Sequence, residues 1–385
     1  MTMKFVLAPD SFKESMTAAE AASAMADGVR RVHPDAECVE VPMSDGGEGF
    51  AQAVAASWGA EWVEVDTVDP LGRPIRAGYG LTGHRAVLDM ASSCGLELVA
   101  PEDRDVARST TAGLGVMLRD ALARGARKLV IGIGGSATND AGAGMLVALG
   151  ARLRTADDAE LDGAPRDLAR VASVDASPVA ELFAGVDVQV ACDVTNPLTG
   201  PRGATAVFGQ QKGVAAGQVE AFDAALARFA AVARVPGGAP QAPGAGAAGG
   251  LGFALLAFLG ARLRPGVEVV ADAVGLADAV RGADLVLTGE GAVDAQTLEG
   301  KTPAGVALVA HRAGVGCIVL AGRVKPGAEA LLEHGVDALV QIVGDDVPLA
   351  RALADGPQNL AAATAHFLAR LKEPRVPPTR RHRGA

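Results

Sequence analysis

Five short runs of strand-forming residues in this chain end in turns rich in glycine or aspartate, and the turns lead into alanine-rich segments with helical periodicity. The runs are KFVLAPDS at 4–11, KLVIGIGGS at 128–136, VQVACDVTN at 188–196, DLVLTGEG at 284–291 and CIVLAGR at 317–323. Repeated strand–loop–helix units form parallel sheets covered by helices, and ligands bind outside the carboxyl ends of such strands. The pattern predicts an α/β protein whose functional residues follow the strands.

Composition agrees with this fold class. Hydrophobic residues make up 49% of the 385 residues, but aromatic residues only 3%. The core must therefore consist mainly of alanine, valine and leucine, which is typical of helices layered on parallel sheets. A chain of this length usually forms two domains. Its first helix is indicated by a capping box, with Thr17 as N-cap and Glu20 three residues later, before alanine-rich periodicity to Val32.

Three segments depart from the strand–loop–helix pattern. Residues 69–98 combine turn dipeptides with alternating residues, which predicts an antiparallel hairpin and the start of a second, mixed-sheet domain. Residues 236–252 are too rich in glycine and proline for regular structure and predict a flexible loop or hinge. The tail at 373–385 carries proline and arginine with almost no apolar residues, which predicts disorder.

Charge and cysteine content argue against several classes of function. A formal net charge of −10 and a pI near 5.2 leave no broad basic surface, so nucleic acid is not an expected partner. The four cysteines form no CxxC pair, and we expect buried, reduced thiols at Cys38, Cys94, Cys192 and Cys317. No apolar run reaches the roughly 18–20 residues of a membrane span or forms a signal-peptide core, so the sequence predicts a cytoplasmic protein without a membrane partner.

Two familiar nucleotide-binding motifs can be tested directly. Gly300-Lys301-Thr302 resembles the end of a Walker A motif, but Ala295 stands where that motif needs its first glycine, so the chain is not a P-loop NTPase. Residues 244–249 match GxGxxG after a proline-rich loop, and residues 132–137 match GxGxxA after a strand. A nicotinamide-dependent oxidoreductase of a small hydroxy acid therefore stays open as an alternative, although it leaves the other glycine-rich loops without a role.

At least four loops combine glycines with carboxylates, amides or lysine. They are SDGGEG at 44–49, GIGGSATNDAG at 132–142, CDVTNPLTGPRGA at 192–204 with FGQQKG at 208–213, and TGEGAVDAQTLEGK at 288–301. Glycines let backbone N–H groups approach a polyphosphate closely, while carboxylates and amides suit Mg²⁺ and hydroxyl groups. Phosphoryl transfer needs both, because its catalysis consists mostly of positioning and charge neutralisation.

These loops resemble, in the same order, the bacterial glycerate kinases that make 2-phosphoglycerate. The resemblance rests on APDSFK at 8–13, PMSDGGEG at 42–49, GGSATND at 134–140, the loops at 192–204 and 208–213, GAGAAGGLG at 244–252 and LTGEGAVDAQTLEGKTPAGV at 287–306. It spans nearly the whole chain and stops before the tail. One departure is Glu14, which stands where the family usually has glycine.

The resemblance implies a fold, a reaction and its cofactors. It implies a Rossmann-like three-layer sandwich made of residues 1–68 and 280–372, an inserted α/β domain at 69–279, and an active site in the cleft between them. The implied reaction converts D-glycerate and ATP into 2-phosphoglycerate and ADP with Mg²⁺. A homodimer is compatible with this reading.

The resemblance also implies roles for individual residues. For the substrate these are Asp10, Ser11, Lys13, Asp45, Glu48, Asn196 and Glu290. For ATP they are Gly134, Gly135, Ser136, Asn139 and Asp140. For catalysis they are Asp193, Lys212, Asp294 and Lys301, with Asp193 as general base or Mg²⁺ ligand and the two lysines as partners of phosphate charge.

Each of these residues also has a purely structural interpretation. Asp10, Asp45 and Asp140 could be helix N-caps, and Asp193 could hold a turn through Asn196. Lysines are most often solvated surface charges, and loop glycines often serve only a positive φ. A catalytically inactive sensor of phosphorylated acids is a further alternative. The six histidines lie outside every loop motif, so we expect none to be catalytic.

Overall fold

The structure, a computed structural model, describes residues 2–44, 46, 49–235 and 238–371. The chain divides into two compact units. The first unit combines Met1–Asp45 with Gly266–Ala385, and the second unit is the continuous stretch Gly46–Pro265 between them. The tail predicted to be disordered, 373–385, lies outside the described residues.

The strands alternate with helices over most of the described chain. The strands are β1 (Lys4–Leu7), β2 (Glu37–Glu40), β3 (Glu61–Val68), β4 (Pro74–Thr82), β5 (Arg85–Asp89), β6 (Lys128–Gly132), β7 (Arg152–Arg154), β8 (Glu160–Leu161), β9 (Ser173–Asp175), β10 (Asp187–Ala191), β11 (Arg262–Arg264), β12 (Leu285–Val293), β13 (Gly316–Val324) and β14 (Ala338–Gln341).

The helices are α1 (Ala18–Val32), α2 (Phe50–Trp58), α3 (Ala91–Cys94), α4 (Ala112–Ala123), α5 (Ala143–Ala148), α6 (Pro165–Leu168), α7 (Ser177–Leu182), α8 (Ala204–Phe208), α9 (Val219–Ala233), α10 (Ala247–Leu259), α11 (Gly266–Ala273), α12 (Leu276–Val280), α13 (Thr302–Arg312), α14 (Leu349–Ala354) and α15 (Gly356–Arg370). The α1 capping box is confirmed, since the Glu20 N–H donates to Thr17 Oγ1 at 3.2 Å and the Thr17 N–H donates to Glu20 Oε2 at 2.8 Å.

The first unit is built on a five-stranded parallel sheet with the order β14-β13-β12-β1-β2. From β1 the chain runs through α1 to β2 on one side, and from β12 it runs through α13 to β13 on the other. The neighbours β1 and β12 therefore form the topological switch point, where ligands bind in open α/β sheets. Fully buried side chains such as Phe5 and Met25 fill the space between this sheet and its helices, each contributing about 1.5–3 kcal/mol.

The second unit is built on a mixed six-stranded sheet with the order β11-β10-β6-β5-β4-β3. Its strands β5, β6, β10 and β11 are parallel, whereas β3 and β4 are antiparallel to their neighbours, which confirms the predicted hairpin. The register pairs Gly132 with both Asp89 and Ala191, so β5, β6 and β10 end in one row. A small sheet, β8-β7-β9, completes the unit.

The division between the units differs from the predicted boundaries at 68/69 and 279/280. Strand β3 pairs with β4 along its whole length, from Glu61 with Leu81 to Val68 with Pro74, so it belongs to the second unit. Helices α11 and α12 pack against α13 and belong to the first unit. The sequence change near Asp69 marks the turn between two paired strands, and it does not mark a domain boundary.

Several smaller predictions can be compared with the described residues. The five strands read from the sequence are all present, and the four cysteines are free thiols, buried or half-buried. No helix in the described ranges is long and apolar enough to cross a membrane. Glu14, where the resembled family usually has glycine, has φ +62°, a left-handed conformation that glycine adopts more easily.

Candidate active site

The loop that follows β6, residues 133–142 and hereafter the glycine loop, is anchored on both sides by backbone hydrogen bonds. The Leu96 N–H donates to Gly135 O at 2.8 Å, and the Ala137 N–H donates to Cys94 O at 2.9 Å. Gly134 and Gly135 are nevertheless exposed, and Gly135 has φ +70°. The loop therefore presents exposed glycine backbone on a fixed support, as a phosphate-binding loop requires.

Lys212 is buried against this loop. Its side chain is only 3% exposed, and its Nζ donates to Ser136 Oγ at 2.7 Å and to Thr138 O at 2.8 Å. No described carboxylate forms an ion pair with it. Burial lowers the pKa of Lys212 to about 7, and the nearby charge of Asp140 only partly opposes that shift. An ammonium group is costly to bury without an anionic partner, so this position favours binding of an anion.

Arg104 contacts the turn that carries Lys212. Its Nη1 donates to Gln211 O at 3.0 Å, while its buried Nε has no hydrogen-bond partner in the described part of the chain. A Cβ at Gly213 would come within 2.8 Å of Arg104 O, so the arginine packs closely on the 210–213 turn. The sequence analysis missed this residue because an arginine among acidic neighbours, in PEDRD, resembles ordinary surface.

Asp140 is completely buried and holds two helices together. Its carboxylate accepts hydrogen bonds from the Thr111 N–H and Thr111 Oγ1, both at 2.8 Å, and from the N–H groups of Gly142 at 3.0 Å and Gly144 at 3.2 Å. These donors lie at the N-termini of α4 and α5. Burial raises the pKa of Asp140, and the four hydrogen bonds oppose that shift. This geometry fits a carboxylate that positions the glycine loop better than one that contacts ATP directly.

Replacing Asp140 by asparagine should destabilise the second unit strongly. Asparagine keeps one acceptor oxygen and turns an NH₂ group toward N–H donors, which leaves buried groups unpaired at a cost of about 1–3 kcal/mol each. We expect a melting temperature lower by several degrees in differential scanning calorimetry. Asp158→Asn is the control, since Asp158 is 78% exposed in its ion pair with Arg154. Equal melting temperatures for the two variants would contradict the positioning role.

The remaining predicted residues of the second unit that the structure describes lie in or next to the loops after β6 and β10. Buried Asn139 donates through Nδ2 to Thr205 Oγ1 at 3.0 Å, which connects the glycine loop to α8. Asn196 donates to Arg202 O at 2.8 Å and accepts the Gly246 N–H through its own carbonyl at 2.8 Å. Asp193 lies exposed in the loop directly after β10. Asn139 and Asn196 therefore have structural partners.

Asp89 is a further carboxylate at this row of strand ends that the sequence analysis did not single out. It is 7% exposed, ends β5 opposite Gly132, and accepts the Ala51 N–H at the start of α2 at 3.3 Å. Its position at the carboxyl end of a strand is the signal that could have identified it. Residues 69–98 were interpreted as a hairpin, so this rule was not applied to them.

In the first unit, the predicted residues gather around the switch point. The Asp10 N–H donates to Gly289 O at 2.8 Å, and Asp10 Oδ2 accepts the Thr302 hydroxyl at 2.5 Å. Asp10 Oδ1 accepts the Ser11 N–H at 2.6 Å. One carboxylate thus connects the end of β1 to the N-terminus of α13 across the β12 strand, at the place where the fold binds ligands.

The other predicted residues near the switch point differ in whether their side chains form hydrogen bonds within the protein. Glu290 accepts the Thr297 hydroxyl at 3.2 Å, and Asp294 caps the 3₁₀-helix Ala295–Glu299 by accepting the Gln296 N–H at 3.0 Å. Exposed Lys13 and half-buried Lys301 have no side-chain hydrogen bond or ion pair among the described residues. Asp45 and Glu48 lie outside the described residues. The two lysines are therefore the free cations near the switch point in the described chain.

The described residues suit a magnesium ion that is bound together with a nucleotide. In the described chain, no group of three or more histidine, cysteine or acidic side chains is arranged to hold a metal ion. Mg²⁺ commonly binds one or two carboxylates together with substrate phosphates and water, so a single exposed carboxylate such as Asp193 is a sufficient protein ligand.

Comparison with known proteins identifies the class of this α/β protein. The model of the glycerate kinase family matches residues 5–372. A glycerate kinase of Bacillus subtilis (strain 168) is 43% identical over 96% of this chain and 98% of its own. A glycerate 2-kinase of Escherichia coli (strain K12) is 41% identical over 96% and 98%. The crystal structure described as a glycerate kinase 2 from Salmonella typhimurium LT2 superimposes with a TM-score of 0.88 at 43% identity, over 97% of this chain and 99% of that one.

These similarities over nearly the whole chain define a kinase. More specifically, the chain belongs to the glycerate kinase family. The family resemblance that was inferred from the order of the loop motifs along the sequence is confirmed. The alternative of a nicotinamide-dependent oxidoreductase is replaced by this assignment, and the GxGxxG match at 244–249 instead forms part of the buried entry into α10.

Proposed function

We propose that this protein transfers the γ-phosphoryl group of ATP to the 2-hydroxyl of D-glycerate, giving 2-phosphoglycerate and ADP. Family membership supports the kinase activity, and the glycerate 2-kinase among its relatives supports the position of transfer. The observation that carries the proposal is the burial of the Lys212 ammonium without an anionic partner in the described chain. Ser136 and Thr138 of the glycine loop accept its hydrogen bonds.

In this proposal the second unit binds the nucleotide. The N–H groups of Gly134, Gly135 and Ser136 approach the phosphates, while Lys212 and Arg104 offset the charge that develops on the transferred group. Mg²⁺ bound with the nucleotide would neutralise further phosphate charge, and Asp193 would hold it. If Asp193 does not bind the metal, the same carboxylate accepts the proton of the attacking hydroxyl.

Residues of the first unit bind the acid in this proposal. Lys13 and Lys301 carry positive charge near the switch point and suit the carboxylate of the substrate. Asp10, Ser11 and Glu290 offer acceptors and a donor for its hydroxyl groups, and Asn196 of the second unit, with Asp45 and Glu48, stays a predicted contact. The cleft between the domains and the homodimer also stay predictions.

An assay of ADP release tests the proposed reaction. ATP and Mg²⁺ are supplied with D-glycerate, L-glycerate, lactate or tartrate, and the product is identified by ³¹P and ¹³C NMR. We expect turnover with D-glycerate and phosphorus–carbon coupling at carbon 2. Formation of 3-phosphoglycerate would contradict the position of transfer. ADP formation with none of the acids, together with a raised melting temperature on ATP addition, would indicate a non-catalytic sensor.

Replacing Asp193 by asparagine should lower kcat by at least about a hundredfold, because the exposed carboxylate acts as base or as metal ligand. Asp187→Asn is the control, since Asp187 lies at the opposite end of the same strand in an ion pair with Arg262. Partial recovery of the Asp193→Asn activity at high Mg²⁺ would identify a metal ligand. A near-normal kcat would remove Asp193 from the catalytic residues.

A further inference from the structure

A pocket of about 350 Å³ lies in the second unit beside the glycine loop. Its lining includes the apolar side chains of Trp62, Leu96 and Leu98 and the glycine-loop residues Gly134 and Gly135. The hydrogen bond from the Leu96 N–H to Gly135 O, at 2.8 Å, fixes one wall of the pocket to the glycine loop. A ligand in the pocket would therefore lie directly next to the exposed glycine backbone.

The indole of Trp62 is held as a flat surface in this pocket. Trp62 lies on β3 and is 39% exposed, in a chain with only two tryptophans. A Cβ at Gly78, on the neighbouring strand β4, would lie 2.2 Å from the indole Nε1. Any other residue at position 78 would displace the indole, so glycine lets the ring cover the strand. Partly exposed aromatic rings of this kind are common platforms for stacking a nucleobase.

The charges around the pocket orient a ligand. The lining includes two acidic residues, Asp89 and Glu97. Carboxylates accept hydrogen bonds from ribose hydroxyls or from an amino group on a base, and they repel phosphate. Ser136 follows Gly134 and Gly135 of the pocket lining in sequence, and its Oγ accepts a hydrogen bond from the Lys212 ammonium at 2.7 Å. The neutral end of a ligand therefore suits the pocket, and its anionic end suits the glycine loop.

We propose that this pocket receives the base and ribose of the nucleotide, with the base against the indole of Trp62. The inference rests on the proposed function only in that the nucleotide is the phosphoryl donor. A small hydroxy acid does not match this pocket, because an anion would face two carboxylates and an apolar wall. The base-binding element thus comes from β3 and from residues 96–98, segments that contain none of the loop motifs.

Tryptophan fluorescence tests the placement directly. The variant Trp58→Phe leaves Trp62 as the single tryptophan, since Trp58 lies at the end of α2 with the Arg85 guanidinium 4.5 Å from its ring centre. We expect ADP to quench its emission and tripolyphosphate, which has no base, to leave it unchanged. In Trp62→Phe, ADP should not change the emission of Trp58. Equal quenching of Trp62 by ADP and tripolyphosphate, or no quenching by ADP, would overturn the proposal.

Kinetics supply the second test. Trp62→Ala should raise the KM for ATP by roughly tenfold, the effect typical of a lost base–aromatic stack, with a much smaller change in the KM for glycerate. Leu332→Ala, which shortens another exposed apolar side chain, is the control. An unchanged KM for ATP in Trp62→Ala would overturn the pocket assignment while leaving the kinase proposal intact. Absence of turnover in the unsubstituted protein, with ADP still quenching Trp62, would instead overturn the kinase proposal alone.

Discussion

Replacing Lys212 by methionine is expected to lower kcat/KM for ATP by about a thousandfold, the loss typical of removing a preorganised group that stabilises transition-state charge. Lys212 is 3% exposed, and two of the three N–H donors of its ammonium have acceptors in the glycine loop. A third donor and the positive charge are thus available for phosphate. Methionine keeps the length and apolar character of the side chain, so the fold should survive.

The matched control is Lys128→Met. Lys128 lies exposed at the first position of β6, and the glycine loop follows the other end of the same strand. Its loss should leave kcat/KM within about twofold of the unsubstituted protein, because a surface charge at that distance is screened by salt. A Lys212→Met protein that keeps more than a tenth of the activity would show that the buried ammonium is not part of the catalytic machinery.

The low pKa of Lys212 also predicts how stability depends on pH. The folded-state pKa of about 7 lies below the value of 10.5 for an exposed lysine, so between these pH values the unfolded chain binds more protons than the folded one. The free energy of unfolding of the ligand-free protein should therefore rise by up to a few kcal/mol as the pH increases from about 7 toward 10. Below pH 7 this lysine should cause no further change in stability, because it is protonated in both states. Thermal melts between pH 6 and 10 measure this rise, which should be absent in Lys212→Met.

The same protonation links stability to activity with the opposite sign. A nucleotide phosphate stabilises the ammonium form, so kcat/KM for ATP should fall as the pH rises above about 7. The ligand-free protein thus gains stability over the pH range in which catalysis weakens. Such opposition is expected where a charged group is retained at an active site at a cost to the fold.

The sequence predicted those features that depend on local residue patterns. Thr17 and Glu20 predicted the start of α1 because a capping box is formed by residues that are close in sequence. The five strands were recognisable because buried parallel strands are continuous apolar runs bounded by glycine or aspartate. Lys212 was found because it lies in a glycine-rich motif, although the sequence did not indicate that it would be buried.

Features that depend on distant parts of the chain were not predictable in the same way. The assignment of β3 to the second unit follows from its pairing with β4, and a pattern of alternating residues does not name the partner strand. Asp140 was selected from its motif, but its hydrogen-bond partner Thr111, at the N-terminus of α4, is far from it in sequence and was not predictable. Arg104 and Trp62 lie outside every motif. Only the fold brings Arg104 to the 210–213 turn and Trp62 to the pocket beside the glycine loop.

The segment at 236–252 illustrates the same limit. Its glycine content correctly predicted irregular backbone, since Ala248, Gly249 and Gly250 all have positive φ inside the first turns of α10. From Gly244 onward, however, the segment is largely buried, and Gly249 O accepts the Ala141 N–H at 3.0 Å. The glycines from Gly244 onward therefore allow close packing against the glycine loop. This buried part of the segment does not support the predicted hinge.

Replacing Gly249 by alanine should damage both stability and activity. Gly249 has φ +66°, and a Cβ there would lie 1.9 Å from Thr138 O and 2.6 Å from Asn139 Cα. Thr138 O is the atom that accepts the hydrogen bond from Lys212 at 2.8 Å. The new methyl group must push the start of α10 away from the glycine loop, because backbone on both sides cannot yield without losing hydrogen bonds. We expect a destabilisation of about 3 kcal/mol or more, together with a loss of most activity.

Gly260 supplies the control for this prediction within the same helix. It caps the C-terminus of α10 with φ +62°, almost the backbone conformation of Gly249, but a Cβ there would meet nothing within 4 Å. Gly260→Ala should therefore cost only the strain of a left-handed alanine, about 1 kcal/mol, and leave kcat/KM unchanged. Calorimetric melts and the ADP-release assay compare the two variants. If both lower the melting temperature equally and both keep full activity, backbone conformation alone explains the glycines, and the contact between α10 and the glycine loop has no part in holding Lys212 in place.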